Sequence, residues 1–419
     1  ELRGPGEEKD AHARRLEDVE PRLTREDAER DPDDGHREQD RPALAQRDDP
    51  RAIDGRKPTE RGWQGAEPPA MTERGWQGAE PPAMRERGWK GAEPPAMNRL
   101  PRVPSVAWLF PGQGSQHVGM GKALAERYGA AARVFDEASE ALGIDLRRLC
   151  WEGPQEELDR TANAQPALLA TSIAALRAAE EALGHELDEP VAVAGHSLGE
   201  YTAIVAAGAL ALADAVRLVR IRGELMQAAD GGDAGAPTHA RGGMAAVLGL
   251  DAEAVARAIG GTGLVVANVN APGQVVISGP LAALERAPEA LRAAGAKRVL
   301  PLRVSGAFHS PAMRAVASHL ATAIAATPFS ALRCTLIANV DGEPHEHASE
   351  LPALLERQVW SPVRWVAVVR RAAGEGASTF VEFGPGAVLT GLVTRILPDA
   401  RTANVSDPRT LEEALTVLR

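Results

Sequence analysis

From Val103 onward, short apolar runs alternate with longer stretches in which apolar positions recur every three or four residues, a pattern of strands followed by helices. Val106-Ala107-Trp108-Leu109-Phe110 reads as a buried strand that runs into a glycine-rich loop, with a helix from about Gly121 to Tyr128 behind it. Pro166 to Leu183 reads as a further helix. Val191-Ala192-Val193-Ala194 is a second strand, and Thr202 to Val219 continues as one alanine-rich helix. Gly195-His196-Ser197-Leu198-Gly199 is therefore a tight turn carrying the chain from strand to helix. After a glycine-rich loop (231–243) the rhythm changes. MAAVLGL reads as a strand and DAEAVARAI as a helix; LVVANVN and QVVISG are two strands joined at Ala271-Pro272-Gly273. A helix, LAALERAPEALRAAG, and a strand, KRVLPLRV, complete the order βαββαβ, the split βαβ pattern of a ferredoxin-like unit. The strands TLIANV and STFVEF follow it, so the small unit stands inside a larger one.

The first hundred residues have a different texture. The first sixty are roughly half charged with few large apolar residues, too little to offset chain entropy by burial, and disorder is expected there. From Glu60 the unit ERGWQGAEPPAM recurs at a period of thirteen, the third copy reading ERGWKGAEPPAM and ending at Met97. Two glycines and a Pro-Pro pair per copy stop helix and ladder alike, and the period is too short for a solenoid. One reading is a docking tail gripping a partner through Trp63, Trp76 and Trp89. The favoured reading is an upstream repeat translated from a start placed too early, since Met97 stands just before the first globular segment.

Bulk properties narrow the partners. A net charge of −11 gives no electrostatic reason to bind nucleic acid. No apolar run approaches the ~20 residues needed to span a bilayer. Two cysteines, Cys150 and Cys334, show no ligand spacing and suit a reducing compartment. The expectation is a cytoplasmic protein with no membrane association.

The chemistry centres on Ser197. Glycines on both sides in G-x-S-x-G let the backbone take a strained turn that exposes the hydroxyl beside a helix N-terminus. The alternative is an ordinary buried turn serine. A serine nucleophile needs a base, and His309, in Val304-Ser305-Gly306-Ala307-Phe308-His309-Ser310-Pro311, follows a strand and precedes a proline-started helix, where active-site groups of open sheets gather. His185, His239, His345 and His347 fall in polar stretches and read as surface residues; His345-Glu346-His347 lacks further ligands for a metal. His196 abuts the nucleophile and reads as a supporting residue. For an oxyanion hole, Leu198 supplies one backbone N–H, and Gln113, on the loop after the first strand, is the second donor. Arg222 lies in an apolar helical stretch and needs a counter-charge. That charge is either a structural acid such as Glu224 or a substrate carboxylate held bidentately.

FPGQGSQ, GHSLGEY, RIRGELMQ, NVNAPGQVVISG, AFHSPAM, RQVWSPVRW and VEFGPGAVLTGL together resemble, in order, malonyl-CoA:acyl-carrier-protein transacylases and the related acyltransferase domains of polyketide synthases. The likeness covers about Ser105 to Arg419. It implies Ser197 as nucleophile, His309 as general base oriented by a backbone carbonyl near Gln358 rather than by an acid, and Gln113 with Leu198 as oxyanion hole. It also implies Asn270 lining the site from the small domain, Arg222 pairing with the malonate carboxylate, and Phe308 as a mark of malonyl selectivity. Gly306 departs from the commonest polyketide pattern, where a histidine is frequent.

The expected fold is α/β: an α/β-hydrolase-like core with a parallel sheet (101–241 and 304–419), an inserted ferredoxin-like subdomain (242–303), and a disordered extension (1–100). The expected function is malonyl transfer through a serine ester to the phosphopantetheine thiol of an acyl carrier protein, for fatty acid or polyketide synthesis. No cofactor or metal is expected: malonyl-CoA is a substrate, phosphopantetheine belongs to the partner, and the enzyme is expected to be a monomer. A serine esterase would instead require water as acceptor, an acidic third member and no arginine for an acyl carboxylate; a non-catalytic docking subunit would not need Ser197, His309 and Gln113.

Overall fold

The computed structural model describes residues 105–229, 242–304 and 306–418. The expected disorder of the first hundred residues, the tryptophan repeats, and loop positions 231–241 with His239 lie outside them. The described residues form ten strands: β1 (Val106–Phe110), β2 (Ala192–Gly195), β3 (Gly242–Leu248), β4 (Val265–Ala271), β5 (Gln274–Pro280), β6 (Arg298–Pro301), β7 (Thr335–Ile337), β8 (Pro344–His345), β9 (Thr379–Phe383) and β10 (Arg401–Val405).

They form two sheets. The larger runs in the order β10-β9-β1-β2-β7-β8. Its pairs are parallel except β7 with β8, and Phe110 stands opposite Gly195 in the β1–β2 register. β1 and β2 are short, apolar and almost wholly buried, and β9 is buried along its whole length, the texture of central parallel strands covered by helices. Three loops that leave the carboxyl ends of the adjacent strands β1, β2 and β7 therefore meet in one place, where open α/β sheets gather their ligands.

The helix Thr161–Leu183 covers one side of this sheet and is buried nearly all round, packed against the helices Gly129–Leu142 and Leu212–Ala228. It begins five residues before Pro166, where the sequence pattern starts it. A proline inside a helix leaves the carbonyl four residues earlier without its bond. Here that carbonyl, Ala162 O, accepts from Arg220 Nη1 at 3.3 Å. The single helix expected from Thr202 to Val219 is in fact two, Gly199–Ala206 and Leu212–Ala228. Gly208 breaks it: at φ 77° it takes the left-handed conformation, and the Ala209 N–H returns to Ile204 O at 3.0 Å as a glycine C-cap.

The smaller sheet has the order β4-β5-β3-β6 with antiparallel pairing throughout, and the helices Ala252–Ala258 and Leu281–Ala293 complete the chain order βαββαβ. Gly242 and Gly243, expected in the loop, open β3. Side chains alternate along β3: Ala245 and Val247 pack under the two helices with Val255, Ile277 and Leu291, whereas Met244 joins the main core. The small sheet is tied by backbone to the segment that leads into the helix Trp365–Gly374. Val269 N donates to Val363 O and Val363 N to Ala267 O, both at 2.9 Å, so Val363 borders β4 as an extra strand residue.

Candidate active site

The turn after β2 is built so that only glycine fits on either side of the serine. A Cβ on Gly195 would overlap the Gly199 carbonyl group, and one on Gly199 would overlap Phe110 O. The chain is thus packed onto itself and onto β1, and Ser197 is forced to φ 52°, a conformation unusual for a residue with a side chain. Its hydroxyl is only half-buried and faces His309, with Oγ 2.7 Å from Nε2.

Among the described residues, His309 is the other non-glycine residue at positive φ, 55°. Its loop is closed by Ser310, whose hydroxyl donates to Ala307 O (2.6 Å) and accepts from Ala312 N (3.3 Å) as the chain enters the short helical turn Pro311–Met313. On the far side of the imidazole, Nδ1 lies 3.1 Å from both Gln358 O and Ser361 O. Two carbonyls accept only from an N–H, so the proton sits on Nδ1 and Nε2 is left as the acceptor for the serine. No carboxylate is needed to fix the tautomer. Burial, then the Arg222 charge, then His196, bring the His309 pKa down to about 3, which keeps the ring neutral and ready to accept a proton.

Arg222, on the helix Leu212–Ala228, is 1% exposed. Its Nη1 donates to Gln165 Oε1 (2.8 Å), and its Nη2 to Gln358 Oε1 (3.0 Å) and to Ser197 Oγ (3.3 Å). Its guanidinium carbon stands 5.4 Å from the Tyr201 ring centroid. Every hydrogen-bond partner is neutral. Glu224, the structural acid considered from sequence, is engaged by Arg220 at 2.6 Å instead. Burial lowers the Arg222 pKa from its usual value, and a buried cation stands beside Ser197 Oγ without an anionic hydrogen-bond partner among the described residues.

The remaining expected residues fall around this centre. Among the described residues, neither the Leu198 nor the Gln113 backbone N–H has an acceptor, while the Gln113 side chain is anchored on Thr161 Oγ1 at 3.2 Å. Gly112, beside Gln113, packs so closely on His196 O that a Cβ there would overlap it. His196 turns away from the hydroxyl: Nε2 bonds Asn270 Oδ1 (2.8 Å) and the ring tilts against Trp365, 5.5 Å between centroids. Asn270 thus reaches the elbow from the small sheet through His196. Phe308 is buried in the main apolar cluster, its ring so near Gly306 that a Cβ there would come within 2.7 Å.

Gln358 does more than offer its carbonyl. Its Nε2 donates to Ser197 O (2.7 Å) and to Glu200 Oε2 (3.3 Å). Two residues that sequence reasoning passed over complete the site. Asn339, at the end of the β7 segment, and Glu200, in the elbow helix, are both fully buried. A wholly buried acid in the otherwise apolar run after Ser197, and an asparagine closing the apolar run TLIA, were the signals available. Burial pushes the Glu200 pKa up to about 7.

Other nucleophiles and metal ligands are poorly placed. Burial pushes the Cys150 and Cys334 thiols up to about 12, leaving almost no thiolate at neutral pH. His345 is not the surface residue the sequence suggested: its ring is held by Glu350 (3.0 Å) and Asp341 (3.4 Å). Among the described residues no group of three or more His, Cys, Asp or Glu side chains is arranged to hold a metal ion.

Residues 107–409 match the family model described as acyl transferase domain. A malonyl CoA-acyl carrier protein transacylase of Bacillus subtilis is 45% identical over 319 residues, 75% of this chain and 97% of that protein. A polyketide biosynthesis protein of Burkholderia thailandensis is 42% identical over 301 residues, 71% of this chain and 25% of that one. Among solved structures, an acyl carrier protein S-malonyltransferase of Vibrio cholerae superposes with a TM-score of 0.69 at 42% identity, covering 74% of this chain and 99% of that one. A malonyl-transacylase in complex with a type II polyketide-synthase acyl-carrier protein gives 0.70 at 41%, covering 75% and 99%.

Proposed function

The chain belongs to the acyl transferase domain family, and on that premise we propose that Ser197 carries the malonyl group between its two thiol carriers. The protein is an acyltransferase that moves malonyl from malonyl-CoA to an acyl carrier protein. In the route proposed here, His309 Nε2 takes the Ser197 proton as Oγ attacks the thioester carbonyl. The oxyanion that forms is met by the unpaired Leu198 and Gln113 N–H groups. Collapse expels coenzyme A thiolate, which takes the proton back from His309, and leaves a malonyl-serine ester. The phosphopantetheine thiol of the carrier protein then gives its proton to His309 and attacks the ester, and Ser197 Oγ leaves as it takes that proton back from His309. The cycle needs no metal or cofactor.

The observation that carries this reading is Arg222: a buried cation without an anionic hydrogen-bond partner among the described residues, 3.3 Å from the attacking oxygen, suits an acyl group that ends in a carboxylate. An esterase acting on neutral acyl groups has no use for it. Phe308 beside the base fits malonyl over bulkier extender groups. We read 101–241 with 304–419 as an α/β-hydrolase-like core and 242–303 as an inserted ferredoxin-like subdomain; the strand order β4-β5-β3-β6 supports the second assignment. A monomer in the cytoplasm, serving fatty acid or polyketide synthesis, completes the proposal; no helix among the described residues is long and apolar enough to cross a membrane. Incubating the enzyme with malonyl-CoA, with and without a phosphopantetheinylated carrier protein, tests the acceptor. Malonyl-carrier should form at least a hundred times faster than free malonate. Equal rates would make water the acceptor and the protein a thioesterase.

A further inference from the structure

We propose that Asn339 is a positioning residue of the nucleophile, the part that holds the Ser197 peptide in its strained turn. The inference rests on Ser197 being the nucleophile.

The turn has two peptide groups to secure. Asn339 Oδ1 accepts from Ser197 N (2.7 Å) while its Nδ2 donates to Gly195 O (2.7 Å), so one amide spans the turn from the end of β2 to the serine. On the other side of the same residue, Gln358 Nε2 donates to Ser197 O (2.7 Å). The serine is therefore gripped at both its N–H and its C=O by side chains from different parts of the chain. Such a grip is what a φ of 52° requires, because nothing in a residue bearing a Cβ favours that conformation locally. Asn339 is itself fixed: its own N–H donates to Glu200 Oε2 (3.0 Å), the oxygen that also accepts from Gln358 Nε2 (3.3 Å). Glu200 thereby couples the two clamps. Both Asn339 and Glu200 are 0% exposed. Gln358, in turn, also holds His309 through its carbonyl and Arg222 through its side-chain oxygen. One connected network sets the positions of nucleophile, base and carboxylate receptor, and Asn339 is the member whose amide touches only the serine turn.

Losing the Asn339 amide frees the turn to relax toward a commoner backbone conformation and carries Oγ out of line with His309. A displacement near 1 Å costs about a hundredfold in rate. The test is the second-order rate constant with which a fluorophosphonate labels Ser197 in wild type, Asn339→Ala and Asn339→Asp, with the labelled fraction reporting how much protein is folded. The second variant keeps the shape and the acceptor but lacks the donor to Gly195 O, and it decides the matter if the first does not fold. Malonyl-CoA binding is measured by calorimetry for Ser197→Ala with and without the Asn339 change. The expected result is a ten- to hundredfold slower labelling at full amplitude, with malonyl-CoA affinity unchanged. Labelling at the wild-type rate in the folded variants, or affinity falling in step with the rate, overturns the proposal. Failure of wild type to label at Ser197 would instead overturn the nucleophile assignment itself.

Discussion

Replacing Arg222 by alanine separates a carboxylate-reading transferase from a generic serine hydrolase. The guanidinium is 1% exposed, and its hydrogen-bond partners are the neutral groups Gln165, Gln358 and Ser197 Oγ. If Arg222 receives the malonate carboxylate as proposed, the carboxylate is desolvated there, and removing its partner leaves it buried and unpaired. That costs about 2 to 5 kcal/mol, or thirtyfold to a few thousandfold in kcat/KM for malonyl-CoA. The same change acts in the opposite direction on a substrate without a carboxylate. Arg222 is the second largest influence, after burial, holding the His309 pKa down, so its removal makes the base stronger. The hydrogen bond it withdraws from Ser197 Oγ is long, 3.3 Å, and its loss matters little. Acetyl-CoA should therefore react as well or better with the variant. Initial rates of transfer to a carrier protein, taken for both thioesters, give the ratio directly. A steep rise in the acetyl-to-malonyl ratio is expected; a fall of both substrates by one common factor would make Arg222 structural and refute the reasoning.

Glu200→Gln keeps an oxygen for the Asn339 N–H and should flatten a pH dependence of stability. The carboxyl ionises near 4.5 in the unfolded chain but at about 7 in the fold. The folded state therefore binds the extra proton between these values, and stability is lost as pH rises through them, by about 3 kcal/mol in total. Denaturant midpoints at pH 5 and pH 8 should show wild type losing ground to the variant by that order; parallel behaviour would contradict it. His309 is shifted the other way, so the acid limb of kcat/KM for malonyl-CoA should lie well below pH 6.5. Pairing of Arg222 with the malonate should raise the imidazole pKa and move the limb of the bound complex to higher pH; a free-enzyme limb at 6.5 would show the imidazole to be solvated.

The strand–turn–helix setting of Ser197 was legible because glycine spacing and strand hydrophobicity are local properties. The same holds for the βαββαβ order of the small unit. Elements whose bounds depend on distant partners were not. The helix Thr161–Leu183 starts before Pro166 because an arginine on another helix takes the stranded carbonyl, which no local pattern reveals. Gly208 splits the helix after the elbow although the alanine-rich run around it reads as continuous. Within the site, Ser197, His309 and Arg222 stood out as chemistry-bearing types in tell-tale places. Asn339 and Glu200 did not, since their importance lies in bonds spanning more than a hundred residues of sequence. The role of the Gln358 carbonyl came from resemblance, while its side-chain grip on Ser197 is visible only in three dimensions.

The claim on which everything else depends is that Ser197 is acylated. Mixing the enzyme with malonyl-CoA in the absence of carrier protein, quenching in acid and measuring intact mass tests it most directly. Wild type should gain the mass of one malonyl group, localised by peptide mapping to the Gly195–Gly199 turn and discharged on adding carrier protein. Ser197→Ala should fold normally and gain nothing. An adduct that persists in Ser197→Ala, or one that forms on wild type but is not passed to the carrier, contradicts the account.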